Sequence, residues 1–74
     1  MMKTVWWSSP IPTRCDICNE ELTNVFYDAK TKMGPWVCMC TTCQTLGPGL
    51  NLLGLGKGQK YEKQSSGRFL KTAG

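Results

Sequence analysis

Four of the chain's five cysteines fall in two Cys-x-x-Cys pairs, Cys15-Asp16-Ile17-Cys18 and Cys40-Thr41-Thr42-Cys43, with twenty-one residues between them. A Cys-x-x-Cys turn brings both sulfurs to one side of a tight knuckle. Two facing knuckles supply four thiolates in a tetrahedron, the geometry that Zn²⁺ accepts in closed structural sites. Cys15, Cys18, Cys40 and Cys43 are therefore the expected ligands of one structural zinc ion. Cys38 has no Cys-x-x-Cys partner and reads as a small buried hydrophobe. Nothing near it argues for the lowered pKa of a reactive thiol.

Other chemistry is scarce. The chain has no histidine, which removes histidine-based triads, acid–base work and zinc catalysis. A four-cysteine site has no open position for water, and the few carboxylates form no recognisable pair, so no enzymatic activity is expected. Gly54-Leu55-Gly56-Lys57-Gly58 is rich in glycine, but it is not a P-loop. Asn51 stands where the first glycine belongs, and Gly58 follows Lys57 in place of Ser or Thr.

The elements that must position the cysteines follow from local signals. Asn19 closes the first knuckle where a left-handed residue is needed, and asparagine tolerates that conformation. Thr23 to Ala29 reads as a strand, with Val25 and Tyr27 on one face and Phe26 on the other. Lys30 to Gly34 is a hairpin turn, and Pro35 to Met39 is the returning strand with proline confined to its start. A helix beginning at Gln44 would be stopped within a turn by Gly47-Pro48-Gly49. Leu50 to Leu55 reads as a short strand or a loop packed over the hairpin. The expected fold is a small metal-stabilised β-rich domain: a four-cysteine zinc ribbon or a truncated treble clef, with a central β-hairpin and a flexible C-terminal tail.

Seventy-four residues make one domain, short enough to need a metal or disulfides for stability. It divides into an N-terminal strand and docking segment (1–12), a zinc-ribbon core (13–56) and a basic, partly disordered tail (57–74). Residues 3–7 carry the β-formers Thr4, Val5, Trp6 and Trp7, ended by Ser8, Ser9 and Pro10. Adjacent tryptophans on a strand point to opposite faces. Either both pack on the domain, or one anchors a partner together with Val5.

No run is long and apolar enough to span a bilayer or to serve as a signal peptide, so the expectation is a cytoplasmic monomer with no membrane partner. Reduced thiols in that compartment favour metal over disulfides. Charge is uneven. Residues 1–43 balance to zero, while residues 44–74 set Lys57, Lys60, Lys63, Arg68 and Lys71 against Glu62 alone, which gives the net +4. Lys57, Lys60, Lys63 and Arg68 are the candidate nucleic-acid contacts, with Tyr61 and Phe69 interleaved for stacking.

The runs Arg14-Cys15-Asp16-Ile17-Cys18, Met33-Gly34-Pro35-Trp36-Val37-Cys38-Met39-Cys40-Thr41-Thr42-Cys43 and Gly54-Leu55-Gly56-Lys57-Gly58-Gln59-Lys60-Tyr61-Glu62 resemble small zinc-binding proteins of tailed bacteriophages. In size and character the chain is also similar to the small phage transcription regulators that bind host RNA polymerase. The resemblance implies inhibition of initiation by σ displacement, and antitermination. It implies docking on the polymerase β′ subunit through Val5, Trp6 and Trp7, with the basic residues facing nascent RNA. A zinc ribbon that binds RNA or DNA directly, and a phage structural or assembly protein, are the alternatives.

Overall fold

A computed structural model describes residues 4–74. Its frame is a four-stranded antiparallel sheet with the strand order β2-β1-β3-β4. Strand β1 spans Val25–Lys30, β2 Trp36–Met39, β3 Gly58–Lys63 and β4 Phe69–Ala73, and one helix, α1, spans Thr41–Leu46. The central hairpin forms where expected. Tyr27 pairs with Met39, Asp28 with Cys38, Ala29 with Val37 and Lys30 with Trp36. Its turn is closed by Thr31, whose N–H and Oγ1 both donate to the Pro35 carbonyl (2.9 and 3.0 Å), and Gly34 supplies a φ of 112°.

Alternation divides the side chains between two sheet faces. On one face Phe26 stacks on Tyr61 (centroids 5.3 Å apart, planes at 15°) and lies 5.0 Å from Phe69. Trp7 meets Phe26 and Tyr61 edge-on at 5.1 and 5.2 Å. Such aromatic pairs contribute about 0.5–1.5 kcal/mol each beyond the area they bury. On the other face Tyr27, Ala29 and Met39 are buried, and helix α1 lies against β1. The core is thus one sheet with an aromatic cluster on one side and the helix with its flanking loop on the other.

The C-terminal quarter is a correction to the sequence reading. Residues 57–74 are not a flexible tail but mostly a second hairpin. Strand β3 pairs with β1, Phe26 opposite Tyr61, and β4 pairs with β3, Lys63 opposite Phe69. The turn is closed by Gly67 N–H to the Gln64 carbonyl at 2.9 Å, with Gly67 at φ 87°. Tyr61 and Phe69 are buried, and their burial is the physical reason that the segment is ordered.

The N-terminal strand is reduced. The strand expected over residues 3–7 begins outside the described residues. Within them it is one bridge, Trp6 opposite Leu70, with Lys71 N–H donating to Val5 and Trp7 N–H to Phe69. It covers the outer edge of β4. The two tryptophans do take opposite faces. Trp7 lies in the aromatic cluster and donates from Nε1 to the Pro10 carbonyl at 3.1 Å, while Trp6 carries the Arg68 guanidinium 4.1 Å from its ring centroid.

Candidate metal centre

The first knuckle is the turn of a miniature hairpin. Leu22 N–H donates to Thr13 and Cys15 N–H to Glu20, both at 2.8 Å, and Asn19 N–H donates back to Cys15 at 3.0 Å. Asn19 adopts φ 64°, as its place in the sequence required. The second knuckle is the start of helix α1. Cys40 is the N-cap residue, in an extended conformation, and Gln44 N–H donates to its carbonyl at 3.1 Å. The helix thus begins inside the second Cys-x-x-Cys pair, three residues before the position read from the sequence, and still ends before Gly47. Of the two arrangements expected for the cysteines, a helix at the second pair is that of the truncated treble clef.

The knuckles converge. The four sulfurs of Cys15, Cys18, Cys40 and Cys43 all lie within 4.8 Å of one another. Cys18 Sγ stands 3.7 Å from Cys40 Sγ, close to the ~3.8 Å edge of a tetrahedron with metal–sulfur bonds of ~2.3 Å. Cys15 and Cys43 are buried, Cys40 is half-buried and Cys18 is exposed, so the cluster sits at the surface with its inner half sealed. The four sequence-predicted ligands are brought together, and they suit a metal ion.

Electrostatics give the same answer. Burial raises the Cys15 thiol, but N–H donors from Cys18, Cys40 and Ile17 outweigh it and draw the pKa down to about 6. The Ile17 and Cys40 amides stand 3.4 and 3.3 Å from that sulfur. Cys43 is pushed upward by burial and by the three neighbouring sulfurs. Cys18 receives a lowering N–H from Glu20, yet desolvation and the sulfurs of Cys15 and Cys40 raise it on balance. Donors and neighbouring thiols therefore pull the cluster in opposite directions. A bound cation resolves the conflict by neutralising all four thiolates together.

Asp16 was missed by the sequence reading. Its Oδ2 accepts from Cys38 N–H at 2.8 Å, and its own N–H donates to the Cys38 carbonyl at 2.9 Å. This pair of bonds fixes the first knuckle on the open edge of β2, two residues before the ligand Cys40. Cys38 is half-buried against the core, and its thiol is pushed up to about 11 by burial and by Asp28, Asp16 and Cys15. That suits an inert packing role.

The other candidate residues do not gather. Trp7 packs against the core, and Val5 and Trp6 of the expected docking set are half-buried along the edge of β4. Lys60 lies opposite Tyr27 and reaches Glu62 at 4.0 Å, whereas Lys63 lies opposite Phe69 on the other face. Arg68 stacks on Trp6, and Lys57 sits in the loop before β3. Lys63 thus stands across the sheet from Lys60. Among the described residues no helix is long and apolar enough to cross a membrane. Set against family models, curated proteins and solved structures, the chain matches none of them.

Proposed function

We propose that the chain is a zinc-stabilised protein-interaction module that regulates transcription by binding the host's bacterial RNA polymerase, inhibiting initiation and promoting antitermination. The observation that carries the interaction reading is the four-sulfur cluster. Four thiolates complete a tetrahedral shell around Zn²⁺, so the ion holds the fold and leaves no position for a substrate. With no histidine in the chain and no carboxylates paired in a recognisable motif, the module works by contact and not by catalysis. The choice of polymerase as partner rests on the likeness in size and character to small phage transcription regulators, while the cysteine and Gly-Gln-Lys-Tyr-Glu segments resemble zinc-binding phage proteins more broadly.

Direct binding to nucleic acid is the second reading. The Arg68–Trp6 stack favours it, since a guanidinium over an indole is a platform for a base. The separation of Lys60 and Lys63 onto opposite faces weighs against it. Transcription reconstituted from purified polymerase and a promoter-terminator template tests the proposal. Zinc-loaded protein is expected to lower promoter-initiated transcripts and to raise read-through in complexes that are already elongating. Unchanged yields of both at micromolar protein overturn the regulatory reading. Salt-sensitive binding to free RNA without polymerase selects the second one.

A further inference from the structure

One end of the molecule combines exposed apolar side chains with an excess of positive charge. Between Asp28 and Glu62 the chain carries no carboxylate side chain, while Lys30, Lys32, Lys57 and Lys60 lie in that interval. Among the described residues, six of the eight exposed large hydrophobic ones belong to the same interval. Leu55 is 95 %, Met33 88 % and Leu46 86 % exposed, with Leu52 and Leu53 beside them in sequence.

Backbone bonds gather these residues at one pole. Lys32 N–H donates to Pro48 at 2.8 Å and Lys30 N–H to Lys57 at 3.0 Å, which ties the hairpin tip to both ends of the leucine loop. Asn51 N–H donates to the Gln44 carbonyl, and Gln44 Nε2 to the Leu52 carbonyl at 3.3 Å, which ties the same loop to helix α1. Gln44 is 2 % exposed, so the clamp is internal.

Leucines held outward on a pinned loop lose little freedom when a partner covers them. A second copy of the chain is a poor occupant, because the lysines of the two copies would face one another. A bilayer asks for no fixed contour. Here the apolar groups stand on three separately anchored elements, the hairpin tip, the helix end and the loop, so the pole presents a fixed contour to a partner.

We infer that this pole, with Met33, Leu46, Leu53 and Leu55 at its centre and Lys30, Lys32 and Lys57 at its rim, docks into an apolar recess bordered by carboxylates on the polymerase. The inference rests on the polymerase reading above, and it moves the docking surface away from the Val5–Trp7 edge.

The test is binding of zinc-loaded protein to purified bacterial RNA polymerase. The variants are Leu53→Ser with Leu55→Ser, Lys30→Glu with Lys57→Glu, and Trp6→Ala, each checked for zinc content and circular dichroism. Both pole variants are expected to bind about tenfold more weakly, with Trp6→Ala within about twofold of the parent. A photo-crosslinking residue at position 55 is expected to capture a polymerase subunit, where one at position 6 does not. If the parent binds and the pole variants bind equally well, the pole is wrong while the polymerase reading stands. If the parent does not bind polymerase, both fall. Pole-dependent binding to phosphatidylglycerol vesicles in that case identifies the surface as a membrane contact.

Discussion

Gly49 and Gln44 show how closely single residues constrain this small chain. A Cβ at Gly49 would stand 2.5 Å from the Gln44 Cα and 2.6 Å from its Oε1. Among the described residues, buried Gln44 Oε1 has no hydrogen-bond partner, and the close approach of Gly49 leaves the clamp that holds the leucine loop no room for a side chain there. Gly49→Ala is expected to destabilise the domain by about 1–3 kcal/mol, the usual range for overpacking, read from denaturant unfolding at fixed zinc. Cysteine substitutions separate ligand from packing roles. Cys43→Ser is expected to abolish stoichiometric metal binding and the fold with it, while Cys38→Ser keeps one bound metal per chain by atomic absorption. Loss of metal in Cys38→Ser would place the ligand set elsewhere. The ligand quartet was legible in the sequence because a Cys-x-x-Cys turn is a local geometry that spacing alone announces. Asp16 was not, because its partner Cys38 lies twenty-two positions away and the bond depends on how the knuckle meets β2.

At the scale of elements, the central hairpin was readable and the terminal one was not. Residues 23–39 carry alternation, a glycine turn and a proline at the strand start, all local signals. Strands β3 and β4 offer few large apolar residues, chiefly Tyr61, Phe69 and Leu70, among lysines and polar residues. What orders them is a non-local partner, the Phe26 ring from β1, which composition does not reveal. Phe69, 4 % exposed in the aromatic cluster, is the test residue. Phe69→Ala is expected to cost about 3–5 kcal/mol in thermal or denaturant unfolding. A chain ended after Lys63 should be protease-sensitive throughout, whereas a dispensable tail would leave residues 13–56 resistant. The two tryptophans should behave differently for the same reason. Trp7→Ala removes a ring packed on two others and is expected to cost about 3–5 kcal/mol. Trp6→Ala removes one surface cation–π contact, worth about 0.5–1 kcal/mol.

For the whole molecule the question is whether the sheet and the metal site form one cooperative unit. The aromatic cluster lies on one sheet face, and the sulfur cluster is joined to the sheet through β2 and helix α1. Domains of this size are marginal, at about 0.05–0.15 kcal/mol per residue, whereas structural zinc sites contribute an apparent 10–16 kcal/mol at neutral pH. The metal term exceeds the whole stability, so the apo chain should be unfolded unless the sheet stands alone. The connections argue that it does not. Met39 at the end of β2 is fully buried, Cys40 follows it directly, and Asp16 holds the first knuckle to the same strand. Melting the knuckles therefore releases the end of β2 and helix α1, and uncovers Tyr27 and Ala29. The measurement is Trp7 fluorescence in a Trp6→Phe, Trp36→Phe background while a chelator removes zinc. The expected result is a red shift of Trp7 that coincides with metal release, followed by recovery when zinc is restored. A Trp7 signal that stays blue-shifted in the apo protein would show that the four-stranded sheet folds alone and that the metal orders only the knuckles.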